Sequence, residues 1–214
     1  MIIAIDGPAG VGKSSVAKHV ARVLEIYYLN SGNFYRGVTL RVLRNHVDPS
    51  DNKACEKQAS EAVFDVKNGR FYLDGEDVED KLHTPEIDLN ASRISVNPNV
   101  RAIVNERIHE LTKKISIIAE GRDMTTVVFP DADFKFFFDA KPEVRAQRRF
   151  DQNPKAMPYE QVLSEIIERD EIDRNKPVGG LKIAEDSLYI DTSYLTLNEV
   201  CEKVLKTVRL SSKI

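Results

Sequence analysis

Cysteine is scarce in this sequence: Cys55 and Cys201 are the only two, far apart and outside any C-x-x-C or metal-ligand spacing. That argues against a disulfide framework or a thiolate metal site, and predicts free thiols in a reducing, cytoplasmic setting. Histidine is sparse as well. His19, His46, His83 and His109 are scattered, so each is expected at the surface or its boundary rather than as a ligand or base. Basic charge is not in excess, since 31 Lys and Arg against 34 Asp and Glu leave a net −3. A general nucleic-acid or membrane binder is therefore not expected, and any anion site must be built locally. No segment approaches membrane-spanning length, and no basic stretch followed by a long apolar run opens the chain. Repeats and low-complexity tracts are missing too. What remains, 214 residues of which 42% are hydrophobic and 30% charged, suits one generous domain with room for a small inserted subdomain.

The densest signal lies near the N-terminus. "MIIAI" is apolar and β-branched, as a short buried strand would be, and "SVAKHVARVLE" places Val16, Val20, Val23 and Leu24 at helical spacing. Between them "DGPAGVGKSS" fits G-x-x-x-x-G-K-[ST], with Gly7, Gly12, Lys13 and Ser14 in the fixed places. Such a loop curls its N–H groups around an anion, and the helix N-terminus adds positive partial charge. A nucleotide-phosphate cradle is expected from Gly7, Pro8, Ala9, Gly10, Val11, Gly12, Lys13, Ser14 and Ser15. Lys13, with its ammonium facing solvent, would reach the β/γ-phosphates, and Ser14 would ligate Mg²⁺.

The rest of the chain alternates strand and helix. "IYYL" reads as a strand and "NSGNFYRGVTLRVLRNHV" as a helix; "VFDVKNGRFYLDGEDV" then switches to period two, with Asn68-Gly69 and Asp74-Gly75 as turn signals. That predicts a small antiparallel meander over 63–78. "TPEIDLNASRI" and "NPNVRAIVNERIHELTKK" read as helices, "ISIIA" and "FKFFFDA" as buried strands. "PEVRAQRRF" and "YEQVLSEIIERDEIDRN" are helical around a polar, flap-like "DQNPKAMP", and "SLYIDTS" and "TLNEVCEKVLKTVRL" close the chain as strand and helix. Buried strands alternating with helices define an α/β fold with a parallel sheet. Ligands of such sheets gather at the carboxyl ends of the strands, which selects the loops after "AI", "YYL", "IIA", "FFFDA" and "YID".

Two of those loops carry unusual chemistry. "EGRDMTT" puts Glu120 at a strand end, where it could orient Mg²⁺ through water, with Arg122 and Asp123 behind it. "PEVRAQRRF" crowds Arg145, Arg148 and Arg149 into about one helical turn, a self-repelling cluster that either stays solvated or meets a polyanion. Arg36 follows the second strand. Arg169, Asp173 and Lys176 share one helix face, which is also what a solvated surface of charge pairs looks like. Several arginines around a phosphate loop, without a histidine or cysteine base, point to transfer from phosphate to phosphate.

In this order the segments resemble the bacterial cytidylate kinases, of the nucleoside monophosphate kinase group. The likeness runs through "AIDGPAGVGKSS", "LNSGNFYR", "NASRISVNPNVR", "GRDMTTVVFPDADFKFFFDAKPEVRAQRR", "IERDEIDRNK" and "YIDTS". It implies a P-loop kinase fold with a five-stranded parallel core, a three-stranded antiparallel insertion that binds the nucleoside monophosphate, and a helical lid. On this chain these would be a core of 1–45, 96–148 and 158–214, an insertion of about 46–95 and a lid of about 149–157. The implied reaction passes the γ-phosphoryl of ATP to CMP or dCMP with Mg²⁺, by a cytoplasmic monomer without nucleic-acid or membrane partners. By position, Ser31, Tyr35 and Arg36 would contact the acceptor, Ser92, Arg101 and Asp123 its cytosine, and Arg122 its phosphate. Arg169 and Asp173 would hold its sugar, with Lys176 beside them. Lys13, Arg122, Arg145, Arg148 and Arg149 would be catalytic.

Asn30, Asn33, Thr125 and Lys176 depart from the family's usual residues. Thr125 stands where glycine is common, which would stiffen its loop, and Lys176 replaces a forked arginine donor with a point charge. Another nucleoside monophosphate kinase, or one of broader pyrimidine choice (UMP and CMP), is the nearest alternative. A catalytically inactive nucleotide-binding regulator is the alternative of another class; the intact Lys13 and Ser14 argue against it, and a GTPase-like switch would need an N-K-x-D motif that the sequence lacks.

Overall fold

A computed structural model of the chain describes residues 1–67, 69–113, 115–155 and 157–211, with Ser211 by its backbone alone. Two compact units emerge, Met1–Leu29 with Ser116–Ile214, and Asn30–Ile115.

The first unit is built on β1 (Ile2–Asp6), β2 (Tyr27–Asn30, which ends as the second unit begins), β6 (Ile117–Gly121), β7 (Phe134–Asp139) and β8 (Leu188–Asp191). They form a five-stranded sheet in the order β2-β6-β1-β7-β8. β1 runs parallel to both β6 and β7, and β7 parallel to β8. Buried on both faces, the strands need apolar residues at nearly every position, which is why "IIAI" and "FKFFF" read as runs rather than alternations. Helices α1 (Lys13–Leu24) and α8 (Leu197–Ser211) pack together against this sheet. Their Val16, Val20, Val204 and Val208 join Ile3, Ile5, Ile118, Phe136 and Phe138 in one dry cluster. Helices α6 (Pro142–Gln152) and α7 (Tyr159–Asn175) form a hairpin with its own small core of Ala146, Val162 and Ile166. Phe150 meets Tyr159 edge-to-face at its tip, with ring centroids 6.2 Å apart. The expected lid, about 149–157, thus comprises the last turn of α6 and part of the connection to α7; Ala156 lies outside the described residues.

The second unit contains α2 (Ser31–Arg44), α3 (Asn52–Glu61), β3 (Phe64–Lys67), β4 (Arg70–Leu73), β5 (Glu76–Asp77), a short 3₁₀ turn (Glu79–Lys81), α4 (Pro85–Ile94) and α5 (Pro98–Thr112). Its limits differ from the expected insertion at 46–95, because α2 and α5 pack with this unit. The three strands form an antiparallel sheet in sequence order. Asp74 and Gly75 both adopt positive φ, 52° and 84°, the primed hairpin turn that the Asp-Gly pair predicts. Of the other turn signal only Gly69 can be placed, since Asn68 lies outside the described residues, as does Lys114 beyond α5. Phe34 packs edge-to-face on Phe64 and Phe71, at 5.3 and 5.0 Å between centroids, and binds α2 to the sheet. Helix α3 is not foreseen in the sequence. It buries only Cys55, Gln58 and Ala59, too short a stripe to stand out, and is started by the Asp51 carboxylate accepting the Ala54 N–H.

Candidate active site

The phosphate loop follows from two steric demands. Gly7 passes so close to β7 that a Cβ there would fall 2.1 Å from the Phe138 carbonyl oxygen. Gly12, at φ 93°, caps α1 in a left-handed conformation, with no side chain occupying the helix's first N–H groups. Those donors are left available to an anion.

Lys13 corrects an expectation. Its ammonium does not face solvent: the side chain is buried and donates to the carbonyls of Gly7 and Pro8, both at 2.7 Å. Burial lowers its pKa to about 7, with the Arg122 charge adding to the effect and Glu120, Asp6 and Asp173 opposing it. Next to it, the Ser14 hydroxyl donates to Glu120 Oε1 at 2.5 Å, and the Tyr28 hydroxyl reaches the same oxygen at 2.8 Å.

Beyond β6, Arg122 Nε donates to Asp173 Oδ2 at 2.6 Å, while Lys176 Nζ reaches Asp173 Oδ1 at 2.9 Å. Burial works against the Asp173 charge, but the Arg122 and Lys176 cations outweigh it and hold this carboxyl well below the usual range. Arg122, by the same pairing, is raised against its own burial. One face of α7 thus meets the loop after β6. Arg169, on the same helix, is half-buried.

The arginine cluster of α6 does not act as one. Arg145 is 1% exposed, donates to both oxygens of Asp170 at 3.0 and 2.6 Å, and also reaches the carbonyls of Ala140 and Ala9. It is a buried, paired side chain that ties the phosphate loop to α7, not a member of a free polyanion-binding cluster. Arg148 docks on Thr192, donating to its carbonyl at 2.6 Å and its hydroxyl oxygen at 3.3 Å. Only Arg149 is exposed. The three share one face of the helix, at spacings of three and four, and partners explain the split: Asp170 takes Arg145 and Thr192 takes Arg148, so neither is left to repel its neighbours unpaired.

Asp6, Tyr28, Asp170 and Thr192 also stand in this site, and no motif or spacing in the sequence singles them out. Thr192 bonds the Val11 and Asp139 carbonyls at 3.1 Å each, locking the end of β7 to the phosphate loop. Beside that loop a cavity of about 640 Å³ opens, lined by Gly12, Ser15, Arg148, Leu195, Leu197 and Val200 among others. The "YIDTS" stretch was the available signal for Thr192, and the acid that ends an apolar strand was the signal for Asp6. Nothing in sequence spacing pairs Arg145 with Asp170.

The second unit carries the remaining expected residues. Ser31 is buried at the first turn of α2, where the Asn30 side chain caps the helix through the Gly32 N–H at 2.9 Å. Arg36 Nε donates to Asp88 Oδ1 at 2.9 Å. Arg101 is buried, its guanidinium 5.4 Å from the Tyr35 ring centroid and its Nη1 3.2 Å from the Ser95 carbonyl. Ser92, on α4, is half-buried.

Strand order, phosphate loop and the Lys13, Ser14 and Glu120 arrangement define a P-loop kinase fold. The profile of the cytidylate kinase family matches residues 3–210. Cytidylate kinase of Thermodesulfovibrio yellowstonii is 42% identical over 97% of both chains, and that of Clostridioides difficile 39% identical over 98% of this chain and 99% of its own. The chain belongs to the cytidylate kinase family. Among solved structures, shikimate kinase from Bacteroides thetaiotaomicron superposes with a TM-score of 0.51 at 12% identity, over 98% of each chain. An uncharacterized protein from Eubacterium ventriosum gives 0.53 at 12% over the same shares. At such identity the likeness concerns the fold.

Among the described residues no helix is long and apolar enough to cross a membrane, and no group of three or more His, Cys, Asp or Glu could hold a metal ion.

Proposed function

We propose that this protein transfers the γ-phosphoryl group of ATP to CMP or dCMP, giving ADP and CDP or dCDP, as a monomer in the cytoplasm. The observation that carries the reading is the phosphate loop, with Lys13 and Ser14 in place, in a chain matched to the cytidylate kinase family over residues 3–210.

In this reading Gly7 to Ser15 wrap the ATP phosphates and the cavity beside them takes the adenine. Lys13 leaves the Gly7 and Pro8 carbonyls for the β/γ-phosphates. Oxygen donors suit Mg²⁺, which prefers one or two protein ligands with phosphates and water completing its shell, and Ser14 and Glu120 offer such a pair 2.5 Å apart. Ser14 would hold the ion and Glu120 one of its waters; when bound, Mg²⁺ supplies neutralisation of phosphate charge. Arg122 would hold the acceptor phosphate, itself an oxyanion that requires no general base. Arg148 and Arg149, in the lid of about 149–157 and the turn before it, would reach the transferring group. Arg145 supports them from its buried position. Ser31, Tyr35, Arg36, Ser92, Arg101, Asp123, Arg169, Asp173 and Lys176 would bind CMP, those of 46–95 forming part of the acceptor-binding unit.

A carboxylate at the exocyclic position of the base accepts from cytosine's amine but faces the lone pairs of uracil's carbonyl. That mismatch costs about 1–3 kcal/mol, roughly tenfold or more in selectivity. Assays with ATP, Mg²⁺ and CMP, dCMP, UMP, AMP or GMP test the proposal. The expected result is kcat/KM for CMP and dCMP at least about tenfold above that for UMP. Equal use of UMP and CMP would refute the base-reading role of Asp123, and no ADP with any acceptor would refute the reaction.

A further inference from the structure

Asp6 ends β1, immediately before the phosphate loop, and its side chain has no contact with solvent. Its strand neighbours are Ile3, Ala4 and Ile5, so the strand itself does not require an acid there. Burying a carboxylate is costly unless several donors meet it. Three do. The Met124 N–H donates to Oδ1 at 2.8 Å, and the Thr125 N–H and hydroxyl donate to Oδ2 at 2.7 and 2.6 Å. These are the first residues of a wide turn, Met124–Val128, closed by the Asp123 carbonyl accepting the N–H groups of Val127 and Val128. The two residues before it are Arg122 and Asp123.

We infer that Asp6 is a positioning residue for acceptor recognition, fixing the turn that aims Asp123 at the base and Arg122 at the phosphate, with the Thr125 hydroxyl as its third anchor. This rests on the proposed acceptor roles of Arg122 and Asp123. An amide could not replace it, because its –NH₂ would point a donor at the backbone N–H groups, whereas a carboxylate accepts through both oxygens. The charged groups near it are Asp123 on the turn, Lys13 at the start of α1 and Arg122 after β6. Burial pushes the Asp6 carboxyl up to about 6; the Thr125 hydroxyl and the two N–H groups pull it down, and Asp123 adds to the rise. Below that pH a proton occupies one oxygen, and at least one of the three bonds is lost or, at the Thr125 hydroxyl, reversed.

Steady-state kinetics on Asp6→Asn, Thr125→Val and Thr125→Ser test the assignment. Asp6→Asn is expected to raise KM for CMP about tenfold or more while KM for ATP stays within about twofold. Thr125→Val should fall between it and wild type, and Thr125→Ser, which restores the hydroxyl, should lie close to wild type. The wild-type KM for CMP should rise below about pH 6 more steeply than that of Asp6→Asn. The comparison between the two proteins is needed because the phosphate of CMP titrates in the same range. Parallel rises in both KM values, or lower stability with both KM values unchanged, would overturn the assignment. Should Asp6→Asn not fold, equal KM for CMP in Thr125→Val and Thr125→Ser would overturn it. Wild-type protein in the same assay separates the two claims. No activity on CMP would remove the proposed reaction and this role with it, whereas normal activity indifferent to Asp6 and Thr125 would remove this role alone.

Discussion

At the scale of single residues, position in the fold decides what a charge can do. A lysine in a glycine loop reads from sequence as solvent-facing, yet Lys13 is buried on two carbonyls, and burial brings its pKa to about 7. A triphosphate would recharge it. ATP binding should therefore take up a fraction of a proton at pH 8, where free Lys13 is mostly neutral, and less at pH 6, where it is already charged. Calorimetry of a non-hydrolysable ATP analogue in buffers of different ionisation enthalpy measures this, and Lys13→Met should remove the uptake at pH 8, well above the range where the phosphate itself titrates. Uptake that persists in Lys13→Met would assign the proton elsewhere. In turnover, Lys13→Met should cost on the order of 10²-fold or more, a loss of transition-state stabilisation. The sequence displayed this residue at its place in the loop motif, but not its resting partners, because those are backbone oxygens whose direction only the folded loop sets.

Helices and strands show a different limit. Long buried runs made the core strands legible, and Asp74-Gly75 marked the hairpin between β4 and β5. Helix α3 was hidden, since its ten residues bury so little. The wide turn at Met124–Val128 was hidden too, because the bonds that anchor its first two residues run to Asp6, 118 and 119 residues away in sequence. Helix α6 illustrates what spacing alone omits: three arginines in sequence order become a buried clamp, a docked side chain and a free one. Arg145→Ala strands the Asp170 carboxylate in a dry site, at a cost of about 3–5 kcal/mol of stability. Arg149→Ala should leave stability within about 0.5 kcal/mol, as for an exposed position, and act on turnover instead. Chemical denaturation and kinetics of both variants, side by side, check the contrast. A stable Arg145→Ala would mean that the buried pair contributes nothing net.

For the molecule as a whole, two buried acids set opposite responses to pH. The Asp6 carboxyl is raised from 3.8 to about 6, so the folded state holds its proton more tightly than the unfolded chain. Its ionisation costs stability at neutral pH, on the order of 3 kcal/mol, and that cost is relieved as pH falls from about 6 towards 4. Asp173 is depressed by Arg122 and Lys176; its contribution is present above the usual carboxylate pKa and lost as pH falls below it. Urea denaturation should show a stability gain from pH 7 to 5 that disappears in Asp6→Asn, followed by a loss below about pH 4. A flat profile from pH 7 to 5 in wild type would contradict the buried, ionisable Asp6.

In the proposed reaction the protein moves a phosphoryl group between two nucleotides rather than releasing it to water. ATP radiolabelled at its γ-phosphate, incubated with the protein, Mg²⁺ and CMP, tests this directly when the products are separated. The label is predicted in the β-phosphate of CDP, with a matching amount of unlabelled ADP and with transfer by Lys13→Met slowed on the order of 10²-fold or more. Label recovered as free phosphate, or unchanged ATP in the presence of CMP, would contradict the account.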